Sequence, residues 1–233
     1  MAEYKALSVA QKAAARAACD AAAKEATRQN VFGSIYRNTT CWGTAGGGSG
    51  PGSSPNAARE ARDIVTNVVT LLNVTSMLDA ACGSRVWQTP MVKSLQDWAP
   101  SFRYLGVDVT EEPLRRNVDP RLPTMGLDLV EQPVPRGYEL IMAREVMQHN
   151  GLEDVRRMLN NFACSDARYL LMTSYRKTKK NVNVRTGEYF PINLRRHPFL
   201  LEPWMQFCES KRDDRWLNLY NRTSLKCVGD GDR

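Results

Sequence analysis

Two aspartates and a glycine turn follow apolar runs that have the length of buried strands. Asp79 lies near the end of the first run and is followed closely by Gly83, and Asp108 lies near the end of the second run. Glycine allows a backbone to approach a ligand closely, and a carboxylate offers acceptor oxygens to both hydroxyls of a ribose. The pattern predicts a site for a nucleoside-containing cofactor. The turn lacks the G-x-G-x-x-G spacing of NAD sites, so a cofactor with a ribose and no phosphate fits better.

A parallel sheet is the element that would bring these residues together. Short apolar runs alternate with helical stretches from Ser76 onward, which is typical of a mostly parallel α/β sheet whose ligands bind beyond the carboxyl ends of the strands. A weak strand over Trp216–Tyr220 would close one edge in the antiparallel direction. We predict strands over Ser76–Ala81, Arg103–Val109, Gly126–Val130, Tyr138–Ala143 and Arg168–Ser174, and helices over Asn56–Leu72, Pro90–Trp98 and Leu152–Phe162.

Two segments precede the predicted sheet. Residues 8–28 are rich in alanine and predict an N-terminal helix with few large apolar side chains to bury. In the segment Gly43–Gly52, six of ten residues are glycine. Such a run is typical of a flexible linker, but Trp42 before it and a predicted helix after it also fit a closing loop that approaches a ligand through its backbone.

The composition fits one domain with a short extension. Of the 233 residues, 42% are hydrophobic and 24% are charged, and no apolar run approaches the roughly 18 residues of a membrane span. The net charge of +7 permits a nucleic-acid partner without requiring one. Residues 1–30 lack the apolar block of a secretory signal, so we expect a cytoplasmic protein.

The cysteines indicate neither a metal site nor a disulfide framework. The six cysteines form no C-x-x-C pair, and only His149 and His197 could complete a zinc site. A chain of this length does not need disulfides as a small secreted domain does. We therefore expect no bound metal and reduced thiols.

The order of these motifs resembles that of the class I S-adenosylmethionine-dependent methyltransferases. The first motif of that family is similar to Leu78–Gly83, its ribose-binding acid to Asp108, its adenine-side motif to Asp128 and Leu129, and its fourth-strand motif to Arg144–His149. The resemblance implies a Rossmann-like, seven-stranded sheet flanked by helices, with S-adenosylmethionine as the cofactor.

The resemblance also implies roles for individual residues. Asp79 would hold the amino group of the cofactor's methionine part, Asp108 its ribose and Asp128 its adenine amino group. Arg144 would reach the cofactor through its backbone carbonyl or the acceptor through its side chain. The implied cofactor-binding residues are Trp42, Gly52, Ser53, Asp79, Ala81, Cys82, Gly83, Asp108, Val109, Asp128, Leu129 and Arg144.

A narrower resemblance extends over roughly residues 31–220 to a subgroup associated with sugar and polysaccharide modification. Its carriers are Trp42, Gly48–Ser53, Trp87 after the first motif, the T-G-x-x-x-P-x-N-L element of Thr186–Leu194, and Leu217–Tyr220. The resemblance implies a methyltransferase domain over 31–233 after an extension over 1–30, with a closing loop over 31–55 and an acceptor-side insertion over 175–215. Ser84 departs from the pattern, because the subgroup commonly has an acid there.

The resemblance implies a sugar or glycan hydroxyl as the methyl acceptor. A sugar hydroxyl is too weak an acid to ionise at neutral pH, so a positioned base accelerates the reaction. His149, with an ordinary pKa of about 6.5, is the first candidate, and Glu145 is the alternative. The expected acceptor-binding residues are Trp87, Tyr175, Arg195 and Trp204.

Two other functions remain open from the sequence. The basic stretch Arg176–Arg196 favours RNA or a protein side chain as the methyl acceptor. The replacement at Ser84 and the alanine-rich segment fit a degenerate methyltransferase fold that acts as a binding scaffold.

Overall fold

A computed structural model describes residues 27–229 together with Ala14, Ala17, Cys19 and Asp20. These four isolated residues are helical, and the rest of the predicted N-terminal helix up to residue 26 lies outside the described residues. Seven strands form one sheet in the order β3-β2-β1-β4-β5-β7-β6. The strands are β1 (Ser76–Ala80), β2 (Arg103–Asp108), β3 (Thr124–Gly126), β4 (Leu140–Ala143), β5 (Tyr169–Tyr175), β6 (Met205–Ser210) and β7 (Arg215–Asn221).

The sheet is mixed rather than mostly parallel. Strands β1 to β5 pair in parallel, whereas β7 is antiparallel to both β5 and β6. The short connection between β6 and β7 makes them a hairpin, and the two strands of a hairpin must run in opposite directions. The prediction of a seven-stranded α/β sheet and of an antiparallel strand near Trp216–Tyr220 is confirmed, and its mostly parallel character is wrong.

The helices of the described residues are α1 (Arg28–Arg37), α2 (Thr39–Trp42), α3 (Arg59–Leu71), α4 (Gln88–Trp98), α5 (Glu111–Leu114) and α6 (Leu152–Ala163). Of these, α3, α4 and α6 begin and end within a few residues of the three predicted helices. The strand predicted over Gly126–Val130 is wrong, because the chain leaves the sheet after Gly126 and turns at Asp128. Leu127, Leu129 and Val130 are nevertheless buried in the core, which explains their strand-like apolar pattern.

The core consists of two apolar layers, one on each face of the sheet. Alternate residues of a strand point to opposite faces, so Leu78 contributes to one layer and Met77 to the other. The first layer includes Val155 and Phe162 of α6, and the second includes side chains of α3 and α4, among them Val65. Both faces are therefore covered, and the carboxyl edge of the sheet is left to form a site.

Four of the six cysteines form disulfides, so the expectation of reduced thiols is wrong for them. Cys164 at the end of α6 pairs with Cys227, and Cys19 pairs with Cys41 of α2. The partners lie 63 and 22 residues apart in the sequence, and the tertiary fold brings them together without any local spacing signal. Cys82 and Cys208 are free thiols. Within the described part of the chain, no helix is long and apolar enough to cross a membrane.

Candidate active site

A cavity of about 890 Å³ lies at the carboxyl ends of β1, β2 and β4. Open α/β sheets bind ligands at this edge. The predicted catalytic residues His149 and Glu145 line the cavity, as do Trp87 and Tyr175. All predicted cofactor-binding residues line it too, namely Trp42, Gly52, Ser53, Asp79, Ala81, Cys82, Gly83, Asp108, Val109, Asp128, Leu129 and Arg144.

Two buried carboxylates mark the ends of β1 and β2. Asp79 accepts hydrogen bonds from the Tyr104 hydroxyl at 2.7 Å and from Gln88 Nε2 at 3.0 Å. Asp108 accepts one from the backbone N–H of Gly83 at 3.0 Å. Burial raises the pKa of each aspartate to about 6, although these hydrogen bonds oppose the shift. Both groups therefore favour a ligand that supplies donors or positive charge.

The glycine-rich run folds over the turn that follows β1 and does not extend away as a linker. The Ser49 hydroxyl accepts a hydrogen bond from the Ser84 backbone N–H at 3.0 Å, and the Ser84 hydroxyl donates to the Gly46 carbonyl at 2.6 Å. A Cβ on Gly83 would lie 2.6 Å from Ser49 Oγ, and one on Gly47 would lie 2.4 Å from Ser84 Oγ. Glycine at both positions therefore leaves room for these serine side chains, and both have a positive φ, which favours glycine.

Helix α1 and the turn at Asp128 form another part of the cavity wall. Arg28, Phe32 and Tyr36 follow each other at a spacing of four residues, share one face of α1, and all line the cavity. Arg28 Nε lies 3.0 Å from Asp128 Oδ1 and 3.1 Å from Oδ2, and its Nη1 donates to Asp154 at 2.8 Å. The turn at Asp128 is therefore held by α1 as well as by its own backbone.

Aromatic rings form a further part of the cavity wall. The ring of His149 lies beside Trp42 and Tyr189, with centroid distances of 4.8 Å and 5.5 Å. His149 Nδ1 lies 3.0 Å from the Glu188 carbonyl oxygen. A carbonyl oxygen only accepts, so Nδ1 carries the proton and Nε2 is the basic nitrogen. Burial lowers the pKa of His149 to about 4, so the ring is neutral at neutral pH.

A chain of charged groups lies beside these rings. Glu145 accepts a hydrogen bond from the Tyr175 hydroxyl at 2.7 Å and lies 3.4 Å from Arg215 Nη1. Arg215 Nε donates to Glu209 at 2.7 Å, and Glu209 also pairs with Arg144 at 2.6 Å. The Glu209 side chain is fully buried, which would raise its pKa, but the two guanidinium groups hold the pKa below its ordinary value.

Arg195 and Trp204 do not line the cavity. Arg195 is exposed and pairs with exposed Glu202. Trp204 precedes the edge strand β6, is 58% exposed, and stacks on Tyr169. The expected role of both residues in acceptor binding has no support from their positions.

No protein-family model and no curated protein sequence matches the chain. Solved structures match its fold. PigF with SAH has a TM-score of 0.58 at 13% identity, over 91% of this chain and 69% of that one. Human N-acetylserotonin methyltransferase in complex with SAM has a TM-score of 0.55 at 11% identity, over 89% and 66%. The mitomycin 7-O-methyltransferase MmcR has a TM-score of 0.51 at 14% identity, over 71% and 54%.

The chain has the class I methyltransferase fold. It spans less than two thirds of the length of the human and mitomycin enzymes, and at such identities the likeness concerns the fold alone.

Several residues that line or adjoin the cavity were not predicted from the sequence. The spacing of Arg28, Phe32 and Tyr36 was a usable signal, because it places them on one helical face. No sequence signal indicated Glu209 and Arg215, since they meet through the pairing of β6 with β7. Within the residues that the structure covers, no three His, Cys, Asp or Glu side chains are grouped to hold a metal ion.

Proposed function

We propose that this protein transfers the methyl group of S-adenosylmethionine to a hydroxyl group of a sugar or glycan. The observation that carries the proposal is one cavity lined by two unlike groups of residues. Asp79, Asp108 and the turn at Gly83 line it at the sheet edge, and aromatic and charged side chains form another part of the wall, here named the acceptor end. A cofactor and an acceptor would thus meet inside a single enclosure.

The residues at the sheet edge fit the chemistry of this cofactor. Asp108 is fixed by Gly83 and would accept from the ribose hydroxyls, and Asp79 would face the ammonium group of the methionine part. Val109, Leu129 and Phe32 offer an apolar slot for a purine ring, next to Asp128. PigF was solved with SAH and human N-acetylserotonin methyltransferase with SAM, which supports the same cofactor here.

The acceptor end suits a neutral, hydroxylated ring. Trp42, His149 and Tyr189 offer ring faces that would pack against the C–H face of a sugar. Glu145 and Arg215, next to them in the cavity wall, would accept from and donate to sugar hydroxyls. The charges at this end occur in opposite pairs, which disfavours a polyanion.

The basic stretch gives the alternative acceptors little support. Arg185 pairs with Glu188, and Arg195 pairs with Glu202, and no basic side chain of the stretch lines the cavity. RNA or a protein side chain therefore ranks below a neutral sugar. A scaffold without activity would need no buried carboxylate pair at the sheet edge, because isolated buried charges cost free energy.

The protein's own contribution to the reaction would be alignment and exclusion of water. When bound, S-adenosylmethionine supplies an electrophilic methyl group. The glycine-rich loop would cover the cavity, Asp79 and Asp108 would fix the cofactor's position, and the aromatic rings would orient the acceptor. Alignment of this kind supplies much of the rate acceleration of bimolecular reactions.

Two measurements test the proposal. Calorimetry with S-adenosylmethionine and with its demethylated product should give binding that Asp108→Asn weakens at least about tenfold, since a hydrogen bond to a charged group contributes about 1.5–3 kcal/mol. Transfer of a labelled methyl group to a panel of nucleotide sugars, glycans, RNA and peptides then identifies the acceptor. Absence of cofactor binding would leave the scaffold function, and transfer confined to RNA or peptides would reject the sugar acceptor.

A further inference from the structure

We propose that Glu145 takes the proton from the acceptor hydroxyl, that Tyr175 positions Glu145 for this step, and that His149 contributes a ring face and no base. This inference rests on the proposed function and names the catalytic residue of the same site. It reverses the order of the two candidates that the sequence indicated.

Glu145 occupies a constrained position directly after β4. Its backbone φ is +59°, a left-handed conformation that costs free energy in a residue other than glycine and that clusters at functional sites. The backbone N–H donates to the Thr173 hydroxyl at 3.0 Å. Since Ala143 before it is a buried sheet residue, the turn at Glu145 brings its carboxylate into the cavity wall.

The carboxylate of Glu145 is available to take a proton. Arg215 lies 2.7 Å from Glu209 and 3.4 Å from Glu145, so its closer ion pair is with Glu209. Arg144 also pairs with Glu209. Arg215 is therefore shared between Glu209 and Glu145, and the Glu145 carboxylate retains lone pairs that can accept from a substrate hydroxyl. The side chain remains 19% exposed, which leaves a path for the proton to water.

The groups around Glu145 set its affinity for a proton. Burial raises the pKa of Glu145 above its ordinary value, and Glu209 acts in the same direction. Arg215, Arg144 and the hydrogen bond from Tyr175 lower it, without cancelling the rise. A carboxylate with a raised pKa is a stronger base than an ordinary one. Burial also raises the pKa of the Tyr175 phenol far above its ordinary value, so Tyr175 stays protonated and donates.

His149 has the weaker claim to the proton. Its Nδ1–H is committed to the Glu188 carbonyl, and burial lowers the pKa of the ring to about 4. A bound sulfonium would lower it further, because a nearby positive charge opposes protonation. The ring packs beside Trp42 and Tyr189, and the three rings together form an aromatic part of the cavity wall.

The proton balance of the step is simple. As the acceptor oxygen bonds to the methyl carbon, the carbon–sulfur bond breaks and its electron pair stays on sulfur. The hydroxyl proton passes to the Glu145 carboxylate, which becomes a carboxylic acid. Glu145 then releases this proton to water through the exposed edge of the cavity and is ready for another cycle.

A pH titration of the ligand-free protein tests whether the pKa of Glu145 is raised and whether Tyr175 contacts its carboxylate. Carbon-13 NMR of protein labelled at the glutamate carboxyls, compared with Glu145→Gln, assigns the Glu145 signal. It should titrate above the ordinary range of glutamate. Tyr175→Phe removes a hydrogen bond to the ionised form and should move the midpoint to higher pH. A Glu145 signal that titrates in the ordinary range and ignores Tyr175→Phe would overturn the proposal.

Steady-state kinetics with the acceptor identified in the panel test whether Glu145, and not His149, takes the proton. Glu145→Gln should lower kcat/KM on the order of 10²-fold to 10⁴-fold and remove the rise of the rate with pH, while affinity for S-adenosylhomocysteine changes less than about twofold. His149→Phe keeps a ring and should raise KM while the rise with pH persists. The matched exposed variant Glu60→Gln should behave as the parent protein. Loss of the pH-dependent rise in His149→Phe, with its retention in Glu145→Gln, would overturn the assignment.

The proposed function and the proposed role of Glu145 are tested by separate results. A parent protein that transfers no methyl group to any panel member rejects the proposed function, whereas the NMR titration reports on Glu145 regardless of the acceptor.

Discussion

The hydroxyl groups of Ser49 and Ser84 lie 3.0 Å apart and join the glycine-rich loop to the turn after β1. The resemblance drawn from the sequence leads us to expect an acid at the position of Ser84. Here Ser84 donates to the Gly46 carbonyl, a partner that a carboxylate would repel. The Tyr36 hydroxyl lies 3.0 Å from Ser49, so α1, the loop and the turn meet at one point.

Removal of the Ser49 hydroxyl should therefore loosen the loop over the cavity. We expect Ser49→Ala to weaken binding of S-adenosylhomocysteine about tenfold, since one or two net hydrogen bonds of about 0.5–1.5 kcal/mol each are lost. Ser84→Asp should weaken binding further, because its charge faces the Gly46 carbonyl. Calorimetry measures both, with the exposed Ser224→Ala as the control. Unchanged affinity in Ser49→Ala would show that the loop does not contribute to cofactor binding.

Cofactor affinity should also depend on pH near 6. Burial raises the pKa of Asp79 and Asp108 to about 6, so both carboxyls become protonated in the free protein below that pH. Ribose hydroxyls and an ammonium group bind the ionised forms best, and affinity for S-adenosylhomocysteine should rise from pH 5 to pH 7 and level off above. Each linked proton changes the affinity by at most about tenfold per pH unit. Asp108→Asn should flatten the profile.

The same raised pKa values act on stability in the opposite direction. Between the ordinary pKa and about 6, the folded protein binds more protons than the unfolded chain, so this contribution to the free energy of unfolding is lost as pH rises through about 6. Urea unfolding of the free protein at pH 5 and pH 7, compared with Asp79→Asn, separates this effect. A profile that is flat in binding and in stability would contradict the burial of both acids.

The part of the cavity at the sheet edge could be predicted from the sequence, because short apolar runs indicate buried strands from local sequence alone. Asp79 and Asp108 end apolar runs, and a parallel sheet gathers the carboxyl ends of its strands at one edge. The roles of Glu209 and Arg215 could not be predicted, because β6 is a partly exposed edge strand in which buried and exposed residues do not clearly alternate. Its hairpin with β7 pairs with β5 across a long stretch of chain. Likewise, the turn at Asp128 resembled a strand because its apolar neighbours are buried for another reason.

Removal of the Glu209 charge should destabilise the fold strongly, because it leaves buried guanidinium groups without a partner. Arg144 and Arg215 both contact the fully buried Glu209 carboxylate. Glu209→Gln leaves their charges poorly compensated, and breaking a buried pair costs about 3–5 kcal/mol. The exposed pair of Glu202 with Arg195 gives a matched control, since Glu202→Gln should cost less than about 1 kcal/mol. Urea unfolding measures both, and equal costs for the two variants would contradict the importance of the buried network.

Arg28 should tune recognition of the cofactor's base through Asp128. Its guanidinium lies within hydrogen-bonding distance of both Asp128 oxygens and also pairs with Asp154. It therefore orients the carboxylate that we propose accepts from the adenine amino group. The parent protein should bind S-adenosylhomocysteine at least about fivefold more tightly than S-inosylhomocysteine, whose 6-oxo group is itself an acceptor, because two facing acceptors without a donor cost about 1–3 kcal/mol.

Arg28→Gln should lose most of this discrimination, because Asp128 would be free to turn away. Calorimetry with both nucleosides gives the ratio, and Arg156→Gln, which breaks an exposed ion pair on α6, should leave it unchanged. Weaker binding of both nucleosides by the same factor would mean that Arg28 only stabilises the wall of the cavity. A ratio that survives in Arg28→Gln but collapses in Asp128→Asn would place base recognition at Asp128 without any help from α1.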